Sequence, residues 1–398
     1  MNNLNSAESI SQIWPVRVCY LIDRLGLGGT EGQLLEVLRR LDRSRVKPAL
    51  CLLNAEDDIS RSLEPDHCPV LRLGVHSLRH PSSMIAAIQL ARFLRRKRVD
   101  ILQVHFPDST YFGVPVARLA GVPRVVRTRR DLGYWMTPRD RWLGRLYNRW
   151  TDATLTNAEA CRRSVIEDEE ADPAKVLVME NGIDLTKLSA IAPLTGGNGD
   201  PQRVGLVANL RDVKDPGSFV RAAALVSETH PNAKFVIAGE GPLRGEVERL
   251  VADLRLGGCL QLLGSVHDVP TLLGELRIAV LCSRSEGMSN SLLESMAAGR
   301  AIVATAVGGN VELIADGQRG LLVPPGNPEA LAAAIDRLLS NAQLAARLGA
   351  AARLYAQQRH DIETKTRELE MFYGGLMHDR LMVHGPPVQL TTLPAGSR

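Results

Sequence analysis

Two glutamates eight residues apart, Glu286 and Glu294, offer the most specific chemistry in this chain. Between them runs Gly287-Met288-Ser289-Asn290-Ser291. A helix beginning near Ser289 and Asn290 leaves Glu286 in the loop after a strand and puts Glu294 one turn inside, so both can face one pocket. The free N–H groups of that helix start, with the helix dipole, suit phosphate oxygens. Carboxylates repel phosphate, so the pair fits the hydroxyls of a neutral sugar or ribose; standing alone, a pair at this spacing is usually ordinary helix surface. Arg211 and Lys214 can neutralise charge building on a leaving diphosphate, or form a solvated surface pair. Gly28 and Gly29 permit a close backbone approach to a phosphate because no Cβ intervenes. His105 faces the same cleft by strand logic, or is a satisfied structural histidine.

These residues need a scaffold that delivers them to one place. Val16–Ile22 reads as a buried strand, followed by the glycine turn and helical spacing through Leu34, Leu35, Leu38 and Leu41. Strands over 49–53, Ile101–His105, 125–128 and Ala153–Thr156 alternate with helical stretches such as 84–97, the pattern of parallel strands with crossover helices. After a turn-rich linker within 187–201 the alternation restarts, with strands at 204–208, Lys234–Ala238, 260–263, 278–281, Ala301–Thr305 and Leu321–Val323. The expected fold is α/β, with two doubly wound Rossmann-like domains over 1–195 and 202–360 facing across a cleft that takes ligand at the strands' carboxyl ends. Helical spacing at 329–339 and Ile362–Met377 predicts a C-terminal helix over 361–378 able to cross back to the first domain. Pro386, Pro387 and Pro394 mark 379–398 as a disordered tail.

The 398 residues, 45% apolar and 23% charged, bury an ample core and argue against intrinsic disorder. Apolar runs such as 278–282 fall short of the roughly 18 residues a membrane span needs, and residues 1–11 lack the basic start and apolar stretch of a secretion signal. Six scattered cysteines without a CxxC pair indicate neither a disulfide framework nor a zinc site, which fits a reducing cytoplasm. No Asp-x-Asp occurs, and no metal is expected. The net charge of +4 conceals +10 over residues 92–150, which leaves the rest at −6, so a nucleic-acid partner is not indicated. That basic region holds Trp135, Trp142 and Trp150, the last two on one face if 138–150 is helical. It suits contact with an anionic membrane; the alternative is a solvated arginine face over tryptophans in the core.

In this setting the stretch from Ser283 to Gly299 resembles the Glu-x7-Glu signature of retaining GT-B glycosyltransferases of glycosyltransferase family 4, which move a hexose from a nucleotide diphosphate sugar. Further segments resemble that family in its own order: Val207-Ala208-Asn209-Leu210-Arg211-Asp212-Val213-Lys214, Ala238-Gly239-Glu240-Gly241-Pro242, Leu263-Gly264-Ser265-Val266 and Val307-Gly308-Gly309-Asn310-Val311-Glu312-Leu313. In the first half, Gly28-Gly29-Thr30-Glu31 and Glu180-Asn181-Gly182-Ile183-Asp184 are similar to its phosphate-approaching loop and its Asn-Gly-Val-Asp turn. The competing dinucleotide reading, an NAD-dependent oxidoreductase, meets Glu31 where the third glycine of G-x-G-x-x-G belongs. A non-catalytic nucleotide-sugar-binding protein is a third reading.

The resemblance implies a role for each residue. Glu286 would contact the transferred sugar, and Glu294 would grip the ribose. Gly287, Met288, Ser289, Asn290 and Ser291 would offer main-chain groups, while Gly239 and the main chain near Val266 and His267 would hold the nucleotide. Glu312 would close the donor pocket or steady its own helix dipole. The family often has arginine where this chain has Asn209, so the diphosphate cations would be Arg211 and Lys214. Many members have a histidine where Arg127-Thr128-Arg129-Arg130-Asp131 stands; arginine is no base, which leaves Asp131 nearest for acceptor activation. Arg129 or Arg130 in the cleft would bind an acceptor phosphate, or would lie on a basic surface. The implied enzyme needs no metal or cofactor, since the donor is a substrate. It would act on a polysaccharide, lipopolysaccharide or lipid-linked acceptor at the inner face of the cell membrane.

Overall fold

The computed structural model describes residues 14–54, 58–197, 200 and 202–378; residues 1–11 and the expected tail over 379–398 lie outside the described residues. The first half contributes β1 (Val16–Ile22), α1 (Gly29–Arg40), β2 (Val46–Leu52), α2 (Asp58–Ser62), β3 (Val70–Arg72), α3 (Ser82–Arg96), β4 (Ile101–His105), α4 (Pro107–Ala120), β5 (Arg124–Arg129), α5 (Pro138–Asn148), β6 (Ala153–Thr156), α6 (Glu159–Asp168), β7 (Val176–Val178) and α7 (Leu185–Ser189). The second contributes β8 (Arg203–Val207), α8 (Pro216–Thr229), β9 (Lys234–Ala238), α9 (Arg244–Asp253), β10 (Leu260–Gly264), α10 (Val269–Gly274), β11 (Leu276–Leu281), α11 (Asn290–Ala297), β12 (Ala301–Thr305), α12 (Asn310–Leu313), β13 (Leu321–Val323), α13 (Pro328–Ser340), α14 (Ala342–Arg359) and α15 (Ile362–Met377).

The strands form two sheets, ordered β3-β2-β1-β4-β5-β6-β7 and β10-β9-β8-β11-β12-β13, parallel throughout. Parallel strands are covered on both faces, and their near-continuous Val, Ile and Leu content reflects it. In the first sheet, Tyr20 packs with Leu34 and Leu38 of α1 on one face, while Cys19 and Leu21 pack with Leu90 of α3 and Phe112 of α4 on the other. Right-handed crossovers account for α3 and α4 sharing that second face. In each sheet the chain order reverses beside the first strand laid down, between β1 and β4 and between β8 and β11. At such a switch point the loops beyond the carboxyl ends diverge and open a crevice.

α15 returns to the first sheet, burying Ile362, Leu369, Tyr373 and Leu376 against Tyr20 and α1. Tyr373 Oη donates to Gln103 Oε1 at 2.6 Å and lies 3.0 Å from Tyr20 Oη, so a buried polar contact fixes where the helix docks. The two crossing segments run side by side: Ile183 N donates to His360 O at 2.8 Å, and Ile362 N to Ile183 O at 3.1 Å.

Candidate active site

On the second-domain side, the turn after β8 leads through Arg211 into a 3₁₀ turn, Asp212–Lys214, and the loop after β11 carries Ser283 and Glu286 to the start of α11. Arg284 N donates to Val213 O at 2.8 Å, and Thr305 Oγ1 donates to Ser283 O at 2.6 Å, so the two loops are tied to each other and to β12. Glu286 is buried, ion-paired with Lys214 Nζ, and accepts from Ser283 Oγ at 2.6 Å. Arg211 is exposed. Gly308, at φ +47°, must be glycine, since a Cβ would overlap Glu286 O; the Gly308 turn backs the donor loop from behind.

Ser289 caps α11, accepting from Leu292 N. This leaves the main chain of Gly287, Met288, Asn290 and Ser291 at a helix N-terminus on the cleft. One turn in, burial pushes the Glu294 carboxyl up to about 7, with no hydrogen bond to offset it. Val266 packs on the apolar cluster of Met288 and Leu292, and His267 is exposed. Gly239 ends β9 at φ +146°, where a Cβ would overlap Ala208 O, so its need for glycine comes from packing against β8.

Across the cleft, Gly28 is the N-cap of α1, and Gly29 O accepts from Asn290 Nδ2 at 3.0 Å. Asn181 adds a second tie, donating to Met288 O at 3.1 Å and Asn290 Oδ1 at 2.7 Å. Glu312, in the first turn of α12, makes a third: its carboxylate accepts from Glu159 N at 2.9 Å and Ala160 N at 2.8 Å, capping α6 of the other sheet. The Glu31 carboxyl folds back over Gly28, and burial raises its pKa against the pull of Arg24 and Arg211. At the end of β1, burial lifts Asp23 to about 6, although Ser109 N and Oγ donate to it at 2.9 and 2.5 Å.

A cavity of about 140 Å³ opens on the first-domain side, lined by His105, Thr128, Arg129, Arg130, Asp131 and Trp135 among others. His105 is 2% exposed, and burial with the Arg130 charge drives its pKa down to about 3, so it is neutral. Arg127 and Arg129 both donate to buried Glu169, each with an amine nitrogen 3.0 Å from Oε1. Arg129 Nε also donates to Asp131 Oδ1 at 2.9 Å, and its guanidinium lies 5.0 Å from the Trp135 ring centroid. Asp131 further accepts from Gly133 N at 2.7 Å. Trp135 therefore belongs to the pocket, whereas Trp142 and Trp150 are 60% and 44% exposed rather than in the core. α5 ends at Asn148, before Trp150.

Sequence reasoning assigned no role to Glu169, Asn181 or Asp23. Asn181 lies in a turn already singled out, but Glu169 sits in the run Glu167-Asp168-Glu169-Glu170 with nothing to distinguish it from its neighbours.

A family profile described as Glycosyltransferase Family 4 matches residues 27–187, and one described as Glycosyl transferases group 1 matches residues 194–355. The UDP-Gal:alpha-D-GlcNAc-diphosphoundecaprenol alpha-1,3-galactosyltransferase of Escherichia coli is 29% identical over 258 residues, which is 60% of this chain and just under two thirds, 66%, of that protein. The D-inositol 3-phosphate glycosyltransferase of Salinispora arenicola is 26% identical over 384 residues, 83% of each chain. Among solved structures, Anabaena HepE in complex with UDP and glucose superposes with a TM-score of 0.77 at 19% identity, covering 90% of this chain and 99% of that one, a likeness of fold. The two profiles meet at the junction between the sheets and together span both, so the chain belongs to the GT-B glycosyltransferases of family 4.

Proposed function

We propose that this chain transfers a hexose from a UDP- or GDP-sugar to a polysaccharide, lipopolysaccharide or lipid-linked acceptor with retention of configuration. The observation that carries this is buried Glu286, ion-paired with Lys214, in the loop that leads to α11, whose Asn290 reaches Gly29 across the cleft. UDP in HepE and a UDP-sugar in the name of the Escherichia coli relative support a uridine donor.

In this reading Lys214 and Arg211 neutralise the leaving diphosphate, so no metal is assigned. Main-chain groups at the start of α11 and the Gly28 turn hold its oxygens from opposite sides. Glu286 accepts from a donor-sugar hydroxyl and steadies positive charge at the anomeric carbon as that bond breaks. The acceptor hydroxyl attacks from the same face and gives its proton to the departing phosphate oxygen, which retains configuration. Asp131, already held by Arg129 and Gly133, orients that hydroxyl. Glu294 accepts from the ribose.

The acceptor pocket opens beside α5, where Arg139, Arg141, Trp142, Arg145, Arg149 and Trp150 are exposed. No helix of the described residues is long and apolar enough to cross a membrane. This reading has that surface rest on an anionic leaflet, each basic residue contributing about 1 kcal/mol near the charged surface. Arg127 and Arg129, turned inward to Glu169, take no part in it. Changing Arg139, Arg141, Arg145 and Arg149 together to Gln should abolish sedimentation with anionic vesicles; equal sedimentation would contradict the contact.

Release of UDP or GDP from a panel of nucleotide sugars tests the activity, and the anomeric coupling of the product tests retention. Binding without release would favour a non-catalytic protein.

A further inference from the structure

Three arginines line the acceptor-side cavity, and one of them lacks an anionic partner. Arg127 and Arg129 share Glu169, and Arg129 also holds Asp131. Arg130 instead donates from Nη1 to Asn181 Oδ1, a neutral amide, at 2.8 Å, and its Nε is buried without a hydrogen-bond partner. Burial pulls its guanidinium down to about 10. The three cations therefore face two carboxylates, and the surplus charge sits on Arg130.

His105 lines the same cavity, and both of its ring nitrogens are buried without a partner. As a neutral imidazole it has one N–H to give. Thr128 Oγ1 accepts from Gln103 Nε2 at 3.0 Å, which leaves its own hydrogen to donate outward. A guanidinium, an imidazole N–H and a hydroxyl thus belong to residues that line one cavity, with a positive charge that no carboxylate pairs among the described residues. Buried polar groups and charges are ordinarily satisfied, and a site that leaves both open is completed by a ligand. An anion meets that need, and a phosphate ester, with three terminal oxygens and a charge of up to about −2, offers a guanidinium and two further donors more acceptor sites and more charge than a carboxylate.

We propose that Arg130, with His105 and Thr128, forms a binding site for a phosphate ester carried by the acceptor. The word acceptor rests on the transferase reading; the phosphate site itself does not. Arg130 serves here because it follows β5 at the carboxyl end of the first sheet, beside the Gly287 turn whose Cβ position its carbonyl fills. A phosphate bound there would lie next to the donor loop.

The test is calorimetric titration of inorganic phosphate into protein already saturated with UDP, so that the donor diphosphate site is occupied. One phosphate should bind per chain. Arg130→Gln should weaken it at least about tenfold, the loss of one charge-assisted contact, and Arg130→Lys should recover part of that loss. UDP affinity within twofold of wild type shows that each variant is folded. No phosphate binding to the UDP-saturated protein, binding that Arg130→Gln leaves unchanged, or equal binding of acetate would overturn the proposal. Failure of sugar transfer with phosphate binding intact would remove the transferase reading and leave this site standing.

Discussion

The two walls of the cleft are built in different ways. On the second-domain wall, Arg211, Lys214 and Glu286 ride on loops from the adjacent strands β8 and β11, joined by the main-chain bond from Arg284 to Val213 and by a single side-chain pair, Lys214 with Glu286. On the first-domain wall the pocket is fixed by side chains from distant segments: Glu169 reaches Arg127 across 42 residues, and Asn181 reaches Arg130 across 51. A nucleoside diphosphate presents the same oxygens whatever sugar it carries, so loop position and backbone can recognise it. An acceptor is particular, and its pocket is shaped by side-chain pairing that can be changed without disturbing the donor wall.

Removing Glu169 strains this contrast most. Glu169→Ala would leave Arg127 buried without a counter-charge and Arg129 with Asp131 alone, at a cost of about 3–5 kcal/mol to stability. Urea unfolding should show the loss, while UDP affinity of the folded fraction should stay near wild type. If UDP binding fell in parallel, the two walls would not be independent. On the other wall, Arg211→Ala or Lys214→Ala should weaken UDP binding by about 1.5–3 kcal/mol; Arg211→Ala should spare stability, while Lys214→Ala also leaves buried Glu286 without its counter-charge and lowers it. Unchanged affinity in both variants would mean that another cation meets the diphosphate.

Glu294 makes a smaller, pH-dependent contribution. Its carboxyl titrates near 7 in the free protein, and ribose hydroxyls donate to the ionised form. UDP should therefore bind more tightly as pH rises through 7, by up to about tenfold, with net proton release. The phosphate of UDP titrates in the same range, so Glu294→Gln supplies the reference: its pH dependence should be shallower. A profile identical to wild type would remove the ribose role.

The smallest effect belongs to the contact between the walls. Glu312→Ala removes a cap on α6 supplied from the opposite sheet, worth about 1 kcal/mol. Small-angle scattering should show a more open average cleft. An unchanged profile would assign closure to Asn181 and Asn290 instead.

Sequence patterning carried the fold well where strands were long and apolar. β1, β4, β6, β9, β12, β13 and α15 have the bounds expected for them, while β3 and β7 had no expected counterpart. Those edge strands are three residues each and mostly not buried, whereas β13, equally short, is the apolar run Leu321-Leu322-Val323 with two residues buried. α14 was also missed; its Ala-Gln-Arg surface shows little helical contrast, although Ala345, Leu348 and Ala352 are buried. In the site, Glu286 and Lys214 were legible as residue types in loops, but not their pairing across 72 residues. Trp135 read as part of a basic aromatic region and Arg129 as either a cleft or a surface cation, because nothing local reveals that Glu169 draws Arg129 inward beside the Trp135 ring.

The central claim is that Glu286 acts on the reacting sugar while the rest of its wall holds the nucleotide. Its direct test compares wild type and Glu286→Ala for both UDP affinity and turnover of the best nucleotide-sugar donor. Turnover should fall by ~10²-fold or more, as the loss of a transition-state electrostatic contact does, while UDP affinity changes far less. Near-normal turnover in the folded variant, or a loss wholly accounted for by weaker UDP binding, would contradict it.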